Sequence, residues 1–170
     1  MPHEQIPKNE DMFVGNEWVL PTDIELVEQV AENFSKLLAE AGWSEDEIDT
    51  LHLAFIEALI NAIAHGNLKV ESDKNIPTWK KALEKQKEGS IDKKVYISLD
   101  ITSGEISVTI RDEGDGFSKP ENQTIPDPDP NNLETLLPFG RGSGIMERAF
   151  DSITRNEKGN EVTMTKKRNL

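Results

Sequence analysis

Val95-Tyr-Ile-Ser-Leu-Asp-Ile101-Thr-Ser-Gly104-Glu-Ile106-Ser-Val-Thr-Ile110-Arg-Asp112-Glu-Gly114-Asp-Gly116-Phe117 is the stretch on which the reading of this chain turns. Val95, Ile97, Leu99 and Ile101 alternate with polar residues, Ser103-Gly104 makes a turn, and Ile106, Val108 and Ile110 resume the alternation. A period of two on both sides of a short turn predicts a β-hairpin. The chain leaves the second strand at Asp112 and turns on two glycines, Gly114 and Gly116. Glycine permits positive φ and lets a planar ligand approach the backbone, while an acid at a strand end can accept a hydrogen bond from an exocyclic amine. A calcium loop would need acids at its first, third and fifth positions, and Asp112, Gly114 and Gly116 do not supply them. A plain acidic turn is the other reading of the segment.

Two amphipathic helices are legible upstream. Glu17 to Leu20 reads as a short extended piece closed by Pro21, after which Thr22 or Asp23 can cap a helix. Ile24, Val27, Val30, Ala31, Phe34, Leu37, Leu38 and Ala41 then recur at the helical period, and Gly42 ends the run. Ser44 and Glu47 form a capping box for a second helix. Its core face is Leu51, Phe55, Ala58, Leu59 and Ala62, running to a breaker at Gly66. On this helix Glu57, Asn61 and His65 stand at i, i+4 and i+8 and share a face beside the apolar one. A carboxylate and an amide one turn apart at the edge of a core suit a proton acceptor and a hard cation; an exposed polar helix face would show the same pattern.

Val70 to Asp92 is charged, with a short helix predicted after Pro77 carrying Trp79 and Leu83. Seven lysines against three acids between Lys74 and Lys94 make this the one basic patch of the chain, read either as surface decoration or as a partner or dimer contact. Beyond Asp112 periodicity is lost for about 25 residues that include Pro120, Pro126, Pro128, Pro130 and Pro138. The ~30 residues that follow are too few for a core of their own, so this segment reads as a lid inside one domain rather than as a linker. Gly140-Arg141-Gly142-Ser143-Gly144 then opens a short helix, Ile145 to Phe150. Glycines ahead of a helix N-terminus leave N–H groups free for phosphate, and Arg141 adds a cation; a flexible hinge with a solvated arginine competes. No Gly-Lys-Ser/Thr follows, which excludes a Walker A loop, and no strand immediately precedes, as a dinucleotide fingerprint requires. The last strands are predicted around Ile153 and around Val162 and Met164.

The 170 residues carry 19 Lys+Arg against 32 Asp+Glu, a net charge of −13 that opposes binding to nucleic-acid phosphates and to anionic lipid. The excess is local: Met1 to Asn61 holds 14 acids and 2 bases, so the remainder is close to neutral. Such asymmetry marks either a solvated acidic face or one that meets a partner. With no cysteine there is no disulfide, thiolate metal site or cysteine nucleophile. The first twenty residues hold no basic region followed by an apolar one, and nowhere do 18 apolar residues run together, so the expectation is a soluble cytoplasmic protein without membrane or direct nucleic-acid partners.

Taken together, a helix bearing Glu57 and Asn61, an acid-and-glycine turn, and a lid ending in a glycine-rich grip fit one ligand, a nucleoside triphosphate. Glu57-Ala-Leu-Ile-Asn61-Ala-Ile-Ala-His65-Gly66-Asn67 resembles the N box of the GHKL ATPase superfamily, Asp112-Glu-Gly-Asp-Gly116 its G1 box and Gly140-Arg-Gly-Ser-Gly144 its G2 box. Pro126-Asp-Pro-Asp-Pro-Asn-Asn-Leu133, with Gly159-Asn-Glu-Val-Thr-Met-Thr-Lys166, resembles the RsbW-type anti-sigma-factor serine kinases, over about residues 15 to 168. The resemblance implies a Bergerat-type two-layer α/β sandwich: a mixed, mostly antiparallel sheet, helices on one face and an ATP lid at 113–141, after an N-terminal tail at 1–14, with 70–92 a charged insertion longer than expected. It implies ATP and Mg²⁺ as cofactors, Asn61 giving its amide oxygen to Mg²⁺, and Glu57 as general base. Asp112 would hold the adenine amino group, with Gly114, Gly116 and Phe117 beside it. Gly140, Arg141, Gly142, Ser143 and Gly144 would close over the phosphates, and His65 and Asn160 complete the contacts. Asn160 stands where the family often has Thr. The implied function is phosphorylation of a STAS-type anti-sigma-factor antagonist alternating with sequestration of a sigma factor; a nucleotide-gated binding module without phosphoryl transfer is the alternative. Relatives of this type suggest a homodimer, although no apolar stripe in the sequence demands one.

Overall fold

The alternation in residues 94–111 folds as a hairpin. Strands β3 (Lys94–Ile101) and β4 (Glu105–Arg111) pair antiparallel, Ile97 opposite Ile110 and Leu99 opposite Val108. The computed structural model describes residues 13–14, 16–71, 75–89, 91–114 and 142–168, with backbone only at 13–14 and 142–144. Most of the expected lid, including Gly116, Phe117, Gly140 and Arg141, and residues 1–12 of the expected tail lie outside the described residues. Parts of the expected insertion, 72–74 and 90, do so as well.

Four further strands, β1 (Phe13–Val14), β2 (Glu17–Pro21), β5 (Ser152–Arg155) and β6 (Glu161–Lys167), complete a six-stranded sheet of order β1-β2-β3-β4-β6-β5. Phe13 and Val14, assigned to the tail from sequence, pair instead with β2, Phe13 opposite Trp18. Each of the five described pairings is antiparallel, so among the described residues the sheet is not mixed. Register explains its two faces. Trp18, Ile97, Ile110 and Val162 form one row across β2, β3, β4 and β6, and Leu99, Val108 and Met164 another, all of them buried. The intervening row, Ser98, Thr109, Thr163 and Thr154, turns the other way, with the Thr109 and Thr163 hydroxyls 3.0 Å apart. Only the apolar face can bury helices, and the result is a two-layer α/β sandwich.

Asp23 accepts a hydrogen bond from Glu25 N–H and caps a 3₁₀ turn, Ile24–Leu26, that leads into helix α1 (Val27–Glu40). Beyond it Gly42, at φ +95°, takes the left-handed conformation that releases the chain. Helix α2 (Glu45–Asn61) starts with both bonds of the Ser44/Glu47 capping box. Phe34 of α1 and Phe55 of α2, each fully buried, stack with centroids 4.4 Å apart and lock the two helices together.

Gly66 does not end α2. The helix widens into a π-helical turn, Ala62–Asn67, with Leu68 N–H bonded to Ile63 C=O at 2.9 Å, and the chain leaves through Lys69 at φ +57°. The helical run Glu45–Asn67 has the length and apolarity of a membrane span. Here that apolarity is spent on the core, where Leu51, Ala54, Phe55, Ala58 and Leu59 are buried.

Helix α3 (Thr78–Lys87) buries Ala82 and seats on the entry to α1: Gln86 accepts from Ile24 N–H and donates to Asp23 Oδ1, both at 3.0 Å. Helix α4 (Gly142–Ala149) packs on α2 and begins three residues before the predicted start, so Gly142, Ser143 and Gly144 lie in its first turn rather than ahead of it.

Candidate functional site

Among the described residues two polar side chains are buried, Asn67 at 3% exposure and Asp112 at 6%. Strand alternation places Asp112 on the helix-facing side: Ile110 and Asp112 are two residues apart, and the chain is held in line by Asp112 N–H bonding Asn160 C=O at 2.9 Å. Gly114 N–H donates to Asp112 Oδ1 at 2.8 Å, while Oδ2 has no hydrogen-bond partner among the described residues. Burial raises the Asp112 pKa, opposed by the Gly114 N–H and by the charges of Lys93 and Lys158. A buried carboxylate with one oxygen already held by a backbone N–H suits the amino edge of a heterocycle.

Glycines surround it for a steric reason. A Cβ at Gly66 would fall 2.5 Å from Oδ2 and 2.6 Å from Oδ1 of Asp112, and one at Gly114 would lie 2.7 Å from the Gly66 carbonyl carbon. The π-turn therefore packs directly on the side chain of the acid and on the backbone of the loop that follows it.

Facing this end, Ala58, Asn61 and Ala62 form the helical wall of a cleft floored by Ile110 and Val162. Met146 of α4 and Gly159-Asn160 complete its rim. Glu57, one α-helical turn before Asn61, is half-buried, and burial raises its pKa. His65 lies within the widened turn, where Nδ1–H donates to Val70 C=O at 2.6 Å and ties down the helix exit. The Asn160 side chain donates to Asp112 C=O at 3.1 Å and accepts from Asn156 Nδ2 at 2.7 Å, so its amide braces the acid from within the β5–β6 turn. The first turn of α4, Gly142-Ser143-Gly144, has N–H groups without intrahelical partners.

Asn61, Asp112 and Asn160 thus share one cleft, Gly114 backs the acid, and Glu57 stands a turn away. Sequence reasoning assigned no role to two residues here. Arg155 lines the cleft because it lies opposite Val162, on the same sheet face as Ile153, so the alternation of β5 was its only signal. Arg155 is exposed as a whole residue; partial desolvation against the cleft lowers its pKa and the charge of Asp112 opposes that shift. Asn67 lies at the end of the π-turn and hydrogen-bonds across the sheet end; nothing in helical periodicity marks it.

The donor set also bears on a metal. Among the described residues no three His, Cys, Asp or Glu converge, so a protein cage for a cation is not built there. One amide oxygen at Asn61 fits a hard ion that arrives on phosphate and keeps its waters, as Mg²⁺ does.

The profile of the histidine kinase-like ATPase domain matches residues 20–166. The chain belongs to the histidine kinase-like ATPase family. The match runs from β2 to β6 and takes in Glu57, Asn61, Asp112 and Asn160. Among relatives, serine-protein kinase RsbW of Bacillus subtilis (strain 168) is 27% identical over 153 residues, covering 88% of this chain and 83% of the relative. Serine-protein kinase RsbW of Staphylococcus aureus (strain bovine RF122 / ET3-1) is 27% identical over 150 residues, covering 86% and 82%. The α/β architecture, a sheet that is antiparallel among the described residues with helices on one face, is consistent with the GHKL ATPase fold of this family.

Proposed function

We propose that this ATPase domain is a cytoplasmic protein serine kinase of the partner-switching kind, phosphorylating a STAS-type anti-sigma-factor antagonist and otherwise sequestering a sigma factor. The observation that carries the reading is a half-buried carboxylate, Glu57, one turn from the cleft amide Asn61, in a chain similar along most of its length to serine-protein kinases.

ATP would lie with its adenine amino group on Asp112 Oδ2 and its base beside the Gly66–Gly114 backbone that packs against that carboxylate. Its phosphates would extend towards Asn61 and the first turn of α4, with Gly140 and Arg141 closing from the lid. Mg²⁺, held by Asn61, would neutralise phosphate charge. Glu57 would take the proton from the acceptor serine as its Oγ bonds the γ-phosphorus and the bond to the ADP oxygen breaks. A carboxylate whose pKa burial has raised is a stronger base than a solvated one. The remaining acceleration comes from positioning and charge neutralisation.

The test is transfer of label from γ-labelled Mg-ATP to a STAS-type antagonist. The expected result is transfer by the parent and a loss of about 100-fold or more in Glu57→Gln. No transfer by the parent discards the kinase reading in favour of a nucleotide-gated binding module; equal rates discard Glu57 as the base.

A further inference from the structure

We infer that Asn67 is a positioning residue for adenine recognition, setting the place of Asp112 without touching the nucleotide. The inference rests on the proposed seating of ATP. Asn67 is buried at 3% exposure and both ends of its amide are hydrogen-bonded. Nδ2 donates to Thr22 Oγ1 at 2.9 Å and to Lys94 C=O at 3.1 Å, and Oδ1 accepts from Glu113 N–H at 2.8 Å. Thr22 in turn donates to Lys93 C=O at 2.6 Å. One side chain therefore joins the end of the π-turn, the loop before α1, the start of β3 and the loop that follows Asp112.

Its location makes this more than a structural staple. Glu113, whose N–H it holds, is the residue between Asp112 and Gly114, and Gly114 N–H is the donor that orients the Asp112 carboxylate. The neighbouring Gly66 presses its backbone against that same carboxylate. Asn67 thus fixes the distance between the helical wall bearing Asn61 and the strand end bearing Asp112. An aspartate there would keep the acceptor for Glu113 N–H but turn a carboxylate oxygen on the Lys94 carbonyl; a serine would be too short to reach all three partners.

The test compares dissociation constants of the full-length chain for Mg-ATP and Mg-ITP, which carries a carbonyl where adenine has its amino group. The parent should prefer ATP. In Asn67→Ser the ATP constant should rise by about tenfold and the preference should collapse towards unity, on the order of one misaligned hydrogen bond. Equal weakening of ATP and ITP, or an unchanged ATP constant in the folded variant, would overturn the inference, because a purely structural role alters stability without altering base choice. If Asn67→Ser does not fold, Thr22→Val removes one partner isosterically. It should reduce the ATP preference in the same direction by about threefold, and a parental ratio there overturns the inference. Failure of the parent to bind either nucleotide refutes the seating of ATP itself, and this inference with it; binding without base preference refutes the role of Asp112 and Asn67 alone.

Discussion

A methyl group at Gly66 would occupy the space of the Asp112 carboxylate, 2.5 Å from Oδ2, so the carboxylate would have to move from its place. Gly66→Ala is therefore expected to cost about 1–3 kcal/mol and to abolish the rise in melting temperature that Mg-ATP should give the parent. Scanning calorimetry with and without nucleotide decides the point; a retained rise would show that the cradle does not hold the base. Glu57 makes a pH prediction. Its folded pKa lies above the usual 4.5, through burial. The folded state then binds the proton more tightly, so its stabilising share is complete below about pH 4.5 and is lost as pH rises through the folded value. Glu57→Gln removes the charged form, so the variant should melt above the parent at pH 7, by about 2 °C, with the gap closing below pH ~4. A constant gap across that range would show that burial does not penalise the Glu57 charge.

At the scale of elements, α2 carries both the core and the candidate chemistry, and its start is under separate control. Ser44 and Glu47 satisfy the first N–H groups of the helix reciprocally. Ser44→Ala should cost about 1 kcal/mol, seen as a fall of about 2–4 °C in melting temperature. Because the cap stands three turns or more from Asn61, nucleotide affinity should be unchanged, and a parallel loss of affinity would mean that the helix shifts as a rigid rod. The other end of α2 behaves differently. An α-helix ending at Gly66 would not deliver the Asn67 amide to Lys94 and Glu113; the π-turn adds the residue that does. A widened turn of this kind is a frequent companion of functional sites.

Across the whole molecule the acidic excess sits in the first 61 residues, and Glu25, Glu28 and Glu32 are exposed along the entry turn and α1. If this face receives a basic protein such as a sigma factor, lysine at all three positions should slow association by about tenfold at low salt and less at high salt. Stopped-flow association at two ionic strengths measures it; an unaltered rate returns the charge to solvation. Strands β2 to β6, the α1–α2 pair and the Ser44 cap were legible in the sequence because alternation, helical period and capping are local properties, whereas β1 was not. Glu57, Asn61 and Asp112 were legible as candidates, each beside a glycine or a core stripe at a fixed spacing, and Asn61 and Asp112 line one cleft. Three features belong to the tertiary structure. The role of Gly66 depends on a carboxylate 46 residues away, as Asn67 depends on Glu113 at the same separation. Arg155 reaches the cleft only because β5 pairs at the sheet edge with β6. Local sequence thus determined most of the helices and strands and which side chains are candidates for the chemistry. Only packing decided which backbone amides and carbonyls those side chains meet, because burial obliges each polar group to find its partner across the fold.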